Sequence, residues 1–200
     1  MKTLFLTDLD GTLLNSNAQL SDFSKSGLNK LIKKGMLFSL ATARTFATVV
    51  DLFEGVNLNL PFILMNGVVI YDPVEQKNVV LHSVNTDDAK FVVGCYEKHN
   101  KYPMLYFMRD GCIEIVYKSD DNPYKMSYVS QRDSLKRKIF RCVENYDITQ
   151  SDNLIYIVVF TMNYLNTVIS TRCFMRIITR EVTSLKLLSQ VYPKAAELLN

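Results

Sequence analysis

Two carboxylates, Asp8 and Asp10, stand two residues apart in "FLTDLDGTLL" (Phe5 to Leu14), where an apolar run gives way to Gly11 and Thr12. Like charges this close repel each other and cost stability unless something binds between them. Two adjacent carboxylates fit Mg²⁺, a hard cation that takes oxygen ligands and often bridges to a substrate phosphate. An aspartate can also attack phosphorus and form an aspartyl phosphate, while a second carboxyl group protonates the leaving oxygen and later activates water. The backbone N–H groups of Gly11 and Thr12 would donate to a phosphoryl oxygen, as would the hydroxyl of Thr42 further along the chain. The competing reading makes Asp8 and Asp10 the start of a turn and a helix cap. The Asp-x-Asp-Gly-Thr string directly after a buried strand favours the site.

The elements that must position these groups are legible in the first eighty residues, which read strand, helix, strand, helix, strand. "TLFLT" is a short continuous apolar run, the mark of a strand buried on both faces. A helix follows over Asp22 to Lys34, with Ser21 as N-cap, Leu28, Leu31 and Ile32 as its apolar stripe, and Gly35 as its stop. "MLFSLAT" (Met36 to Thr42) reads as a second strand. Phe46, Val49, Val50 and Phe53 recur at helical spacing, and "FILMN" (Phe62 to Asn66) reads as a third strand behind Pro61. Alternation of this kind implies a parallel, doubly wound sheet. In such sheets ligands bind beyond the carboxyl ends of the strands. Asp8 and Asp10, Thr42, and Asn66 with Gly67 fall at three such ends.

After Gly67 the pattern changes. "VVIYDPVEQKNVVLHS" predicts a hairpin turning near Asp72-Pro73, and Asn85 or Thr86 caps a helix reaching about His99. "MLYFMRDGCIEIVY" predicts a second hairpin at Asp110-Gly111. A helix is expected near Leu135 to Val143 and a strand over Leu154 to Phe160. The change places a boundary near Leu81 to Val84, between a unit over 1–83 and an α+β unit over 84–200.

"DLDGTLL" at one strand end, "ATAR" at the next and "NGVVIYD" at the third resemble the haloacid dehalogenase superfamily, and more narrowly its Cof-type phosphatases. That resemblance covers Met1 to about Ser83. It implies an α/β fold, a Rossmann-like parallel sheet of which three strands are present, with an α+β cap inserted after the third. It implies Asp8 as nucleophile and first metal ligand. Asp10 becomes the general acid/base, binding Mg²⁺ through its backbone carbonyl, and Thr42 the group that holds the phosphoryl oxygens. Gly11, Thr12, Arg44, Asn66 and Gly67 fall on the substrate side. Ala43 stands where many relatives have glycine. The family also needs a lysine and a Gly-Asp-x-x-x-Asp segment after the cap. The chain contains no Gly-Asp dipeptide. "FTMNYLN" (Phe160 to Asn166) offers no carboxylate and reads as cap, and Lys186 and Lys194 receive no role. The chain is therefore expected to be a fragment or a weak catalyst.

Composition sets the frame. The chain has 200 residues, 48% hydrophobic and 22% charged, with a net charge of +3. That balance gives no electrostatic case for nucleic acid. The basic run "SLKRKIFR" (Ser134 to Arg141) reads as a solvated helix face. Cys95, Cys112, Cys142 and Cys173 show neither metal spacing nor a disulfide framework and are expected as free, mostly buried thiols. His82 and His99 belong to no constellation. The first apolar run is cut at Asp8, and the longest later one, "LIYIVVF", is too short to span a bilayer. A cytoplasmic location is expected, without a membrane or nucleic-acid partner. The expected activity is Mg²⁺-dependent hydrolysis of a small phosphorylated metabolite. A non-catalytic module with a phosphate-sized pocket and a phosphomutase sharing the same nucleophile are the alternatives. The edge of the first strand, Leu4 to Thr7, invites self-association unless it is covered.

Overall fold

The computed structural model of the chain describes residues 3–119, 122–132, 138–148 and 153–160. Two compact units part between Leu81 and His82.

In the first unit β1 (Leu4–Thr7) runs parallel to β2 (Leu37–Leu40), in a register that pairs Leu4 with Leu37 and Thr7 with Leu40. A parallel bridge from Ala41 to Ile63 joins β2 to β3 (Phe62–Leu64). The other edge of β3 pairs antiparallel with β4 (Val69–Asp72), which pairs with β5 (Lys77–Leu81). The connection from β1 to β2 is α1 (Asp22–Lys33), whose N-cap Ser21 accepts the Ser24 N–H at 3.1 Å. Such a cap satisfies one of the backbone donors left over at a helix start. The short helix α2 (Phe46–Val49) continues as a 3₁₀ turn over Val50–Phe53. Phe46, Val49 and Phe53 are buried at the spacing that the sequence shows. Phe53 packs its ring 5.3 Å from Phe62 and 6.3 Å from Phe38, and Phe46 stacks on Tyr71 at 5.6 Å. These aromatic pairs hold helix and sheet together beyond the area they bury. Asp72 is buried because its carboxylate accepts the N–H groups of Val74 and Glu75, closing the turn between β4 and β5.

The second unit is a four-stranded sheet in the order β8-β7-β6-β9, built from β6 (Met104–Arg109), β7 (Cys112–Tyr117), β8 (Lys138–Cys142) and β9 (Leu154–Val158). β6 and β7 form a hairpin whose turn residues Asp110 and Gly111 both have positive φ, +48° and +73°. The primed turn that links twisted strands needs that conformation, which is why Asp-Gly marks it in the sequence. Helix α3 (Thr86–Glu97) is capped by Asn85, whose carbonyl oxygen accepts from Asp87 and Asp88. Ala89 and Val93 of α3 pack against Leu105, Phe107, Val116, Leu154 and Ile157 on one face of the sheet. Helix α4 (Pro123–Ser130) opens with proline behind the Asn122 cap, a favoured first-turn position because proline has no N–H to leave unsatisfied.

Several expectations need correction. Within the stretch expected as a helix near Leu135 to Val143, Lys138–Cys142 is a strand, parallel to β7. The basic spacing suggested a helix face, but pairing with β7 decides the outcome: Arg141 lies opposite Val116 and its guanidinium reaches Glu114 at 2.8 Å. Lys138 is buried, not solvated. β1 is not covered on both faces, since Phe5 and Leu6 are 52% and 41% exposed. A continuous apolar run shows that a strand wants cover but cannot supply the covering layer. Cys95 and Cys142 are exposed and Cys112 half-buried, against the expectation of mostly buried thiols, because each falls on an outward position of α3, β8 or β7. Cys173, most of "FTMNYLN", Lys186 and Lys194 lie outside the described residues. β3 ends at Leu64, and Met65, Asn66 and Gly67 turn away with φ of +51°, +57° and +95°. β9 likewise stops at Val158. His82 and His99 are both exposed. No helix among the described residues is long and apolar enough to cross a membrane.

Because β1 pairs with β2 along one edge, its other edge has no strand partner among the described residues. With Phe5 and Leu6 exposed beside that edge, we propose self-association there. Light scattering should show a mass above that of one chain, falling when Leu6 is replaced by Lys. A monomer at all concentrations would rule this out.

Candidate active site

Leu9 is the anchor of the first loop. Its side chain is fully buried, and its carbonyl accepts the Leu14 N–H at 3.0 Å, so the loop closes as one tight turn after β1. Gly11 sits inside that turn at φ +71°, a conformation that any side chain would strain. Asp8 and Asp10, on either side of Leu9, are thereby turned to the surface. The Thr7 hydroxyl donates to the Asp8 carbonyl at 2.8 Å and stiffens the strand end. Gly11 and Thr12 are exposed beside them.

The ends of β2 and β3 are tied to this loop and to each other by backbone hydrogen bonds. The Ala41 N–H donates to the Thr7 carbonyl at 2.9 Å, and Thr42 N–H to Ile63 at 3.0 Å. The N–H groups of Met65 and Asn66 donate to the carbonyls of Arg44 and Thr42, each at 3.1 Å. Thr42 is 5% exposed, and its hydroxyl oxygen accepts the Arg44 N–H at 3.2 Å. Its own O–H remains to donate. Gly67 is buried and Asn66 exposed. Met65, Asn66 and Gly67 in succession hold positive φ, and for Met65, buried and without glycine's freedom, this is a strained conformation. The strain is set against the two hydrogen bonds that close the Thr42 and Arg44 loop.

Arg44 is the surprise. Its Nε donates to Asp10 Oδ2 at 2.8 Å and its second guanidinium nitrogen to Oδ1 at 2.5 Å, a two-pronged pair between the first and second loops. Arginine's planar fork matches a carboxylate in this way. The hydrogen bonds from Arg44, aided by its charge, hold the Asp10 carboxyl below its ordinary range, while the small burial of the group opposes them. A carboxylate with a depressed pKa stabilises the fold above the unfolded carboxylate range, and that contribution is lost as pH falls through its lowered value. The Asp10 side chain is 57% exposed, so the pair contributes about 0–1 kcal/mol. The family resemblance puts Arg44 on the substrate side, whereas its guanidinium is paired with Asp10. No local signal links two loops that are 34 residues apart.

The sequence matches a family model described as haloacid dehalogenase-like hydrolase over residues 5–193. The chain belongs to that family. Haloacid dehalogenase-like proteins of known structure share its α/β fold. One from Bacillus subtilis superposes with a TM-score of 0.61 at 20% identity, over 88% of this chain and 67% of the other. A protein from Eubacterium rectale, named a putative phosphate, gives a TM-score of 0.62 at 22% identity over 81% of this chain and 58% of the other. Among curated relatives, a putative phosphatase of Buchnera aphidicola subsp. Baizongia pistaciae is 33% identical over 141 residues, 70% of this chain and 50% of the relative. The 5-amino-6-(5-phospho-D-ribitylamino)uracil phosphatase YcsE of Bacillus subtilis is 34% identical over 101 residues, 48% of this chain and 39% of its own length. The chain thus spans half or less of the length of these two curated relatives.

For Mg²⁺, the donors at hand are the Asp8 carboxylate and the Asp10 backbone carbonyl. Both are hard oxygens on a surface loop, a set that suits a cation which keeps several of its waters. The Asp10 carboxylate is committed to Arg44. No group of three or more His, Cys, Asp and Glu side chains able to hold a metal is found among the described residues.

Proposed function

We propose that the chain carries the nucleophile-bearing part of a phosphatase acting on small phosphorylated metabolites through an aspartyl phosphate. What supports this above all is the joining of three strand-end loops by backbone hydrogen bonds around Asp8 and Asp10, in a chain of this family. In the proposed cycle an Asp8 carboxylate oxygen attacks phosphorus, and the bond from phosphorus to the leaving oxygen breaks. The Asp10 carboxyl gives that oxygen its proton. Asp10, now ionised, takes a proton from water, and the resulting hydroxide attacks phosphorus. The bond to Asp8 breaks and inorganic phosphate leaves. Thr42 donates its O–H to a phosphoryl oxygen, and the N–H groups of Gly11 and Thr12 add to that cradle. Asp8 and the Asp10 carbonyl would hold Mg²⁺, which screens the phosphate dianion from the anionic nucleophile.

The same proposal assigns 1–83 to the catalytic core and 84–200 to a cap, places the protein in the cytoplasm, and names neither nucleic acid nor membrane as partner. It also expects slow turnover, because Arg44 opposes protonation of Asp10. That observation favours a second reading, a phosphate-binding module without catalysis. Hydrolysis of an aryl phosphate with Mg²⁺, compared between the parent and Asp8→Asn, separates the two. Mg²⁺-dependent turnover lost in the variant supports the enzyme, and no turnover in either supports the module. A phosphomutase would instead return the phosphoryl group to a second acceptor hydroxyl.

Thr42→Ala should cost less than either aspartate change. It removes one hydrogen bond to a charged phosphoryl group, worth about 1.5–3 kcal/mol, so kcat/KM should fall roughly tenfold to a hundredfold. If thermal stability falls and turnover does not, Thr42 serves only to tie its loop through the Arg44 N–H.

A further inference from the structure

In the second unit, Lys138 is a buried cation without an anion among the described residues. The residue is 6% exposed, yet among the described residues its Nζ meets only the Tyr128 hydroxyl oxygen, at 3.4 Å, and the Tyr128 ring, 5.7 Å from its centroid. Burying an ammonium group is costly unless it is paired and fully hydrogen-bonded. Lys125, buried to 1% exposure, shows the satisfied arrangement: its Nζ donates to the carbonyls of Lys118 at 2.7 Å and Tyr102 at 3.3 Å. A second cation adds to the imbalance. The Arg132 guanidinium lies over the Tyr128 ring, 4.2 Å from its centroid, and its one side-chain hydrogen bond among the described residues is a long 3.5 Å contact to Gln131. No ion pair among the described residues involves Lys138 or Arg132.

The hydrogen-bond count points the same way. Tyr106 and Tyr128 share one bond at 2.9 Å between their hydroxyls. Whichever phenol donates, one O–H hydrogen is left over. A lysine ammonium carries three donors and an arginine five, and neither accepts. The cluster therefore has more donors than its phenol oxygens and the Gln131 side-chain carbonyl can accept, two positive charges, and no anion among the described residues. Tyr128 and Arg132 are half-buried, so the cluster has an open rim.

We propose that Lys138, Arg132 and the Tyr106–Tyr128 phenol pair form a binding site for a small oxyanion, a phosphate or a carboxylate, in the second unit. The oxyanion would accept from the Lys138 ammonium and the spare phenol hydrogen, with Arg132 held beside it by its stacking on Tyr128. The proposal is independent of the phosphatase reading, since it needs neither turnover nor Asp8. The test is an amide-resolved NMR titration of the full chain carrying Asp8→Asn, without Mg²⁺, using inorganic phosphate. Saturable shifts are expected at Tyr128, Arg132 and Lys138. Lys138→Met should weaken that binding at least about tenfold, the scale of losing a hydrogen bond to a charged group, and Lys138→Arg should largely restore it. Tyr128→Phe keeps the ring under Arg132 and should weaken binding severalfold, which serves if the Lys138 variant does not fold. Absence of saturable shifts at these residues overturns the site. So does phosphate binding left undiminished in folded Lys138→Met or Tyr128→Phe.

Discussion

Asp8→Asn should abolish phosphatase activity. The amide is a poor nucleophile and a weaker ligand for a hard cation, so both roles proposed for Asp8 disappear in one substitution. Loss of a covalent nucleophile costs on the order of 10⁴-fold or more in kcat, and any residue of rate reports positioning alone. The fold gives little reason for collateral damage. Asp8 is exposed, and the loop is held by the Leu9 side chain, the Leu9 carbonyl and the backbone of Gly11. The variant should melt close to the parent temperature. An Asp8→Asn protein that is folded and turns over an aryl phosphate at the parent rate would remove Asp8 from the mechanism.

How much of this was legible beforehand varies by the range of the interaction. Caps and turns are local, and Ser21, Asn85 and the Asp110-Gly111 pair can be read directly because each satisfies or permits its own neighbourhood. The strand ends carrying Asp8, Thr42 and Asn66 were also visible, since apolar runs ending in polar residues mark where a parallel sheet opens. Non-local choices were not visible. Lys138 to Cys142 carries a basic, helix-like pattern and becomes a strand because β7 offers it a ladder. Asn122-Pro123, by contrast, is another helix start of the local kind, a capping side chain followed by a residue with no N–H to satisfy. The exposure of Phe5 and Leu6 depends on which layers cover β1, which no stretch of β1 encodes. The pairing of Arg44 with Asp10 depends on two loops meeting in space, and it changes what the aspartate can do.

That pairing sharpens the second large effect, expected for Asp10→Asn. General acid–base catalysis typically contributes ~10²–10⁴-fold, and steady-state turnover should fall by that much. The two half-reactions should not suffer equally. A nitrophenolate leaves without help from an acid, so attack by Asp8 on a nitrophenyl phosphate should survive, while hydrolysis of the aspartyl phosphate loses its base. Asp10→Asn should therefore release up to one nitrophenolate per chain in a burst and then stall. Alkyl phosphates, whose leaving oxygen needs the proton, should show no burst. Arg44→Gln provides the converse. Arg44 lowers the Asp10 pKa, chiefly by hydrogen bonding, so its removal raises that pKa toward the ordinary carboxylate value. More Asp10 is then protonated at any given pH. With an alkyl phosphate, the limb on which activity falls as pH rises should move to higher pH in Arg44→Gln. A limb that stays in place, or moves to lower pH, would show that Asp10 is not the acid whose ionisation sets the rate.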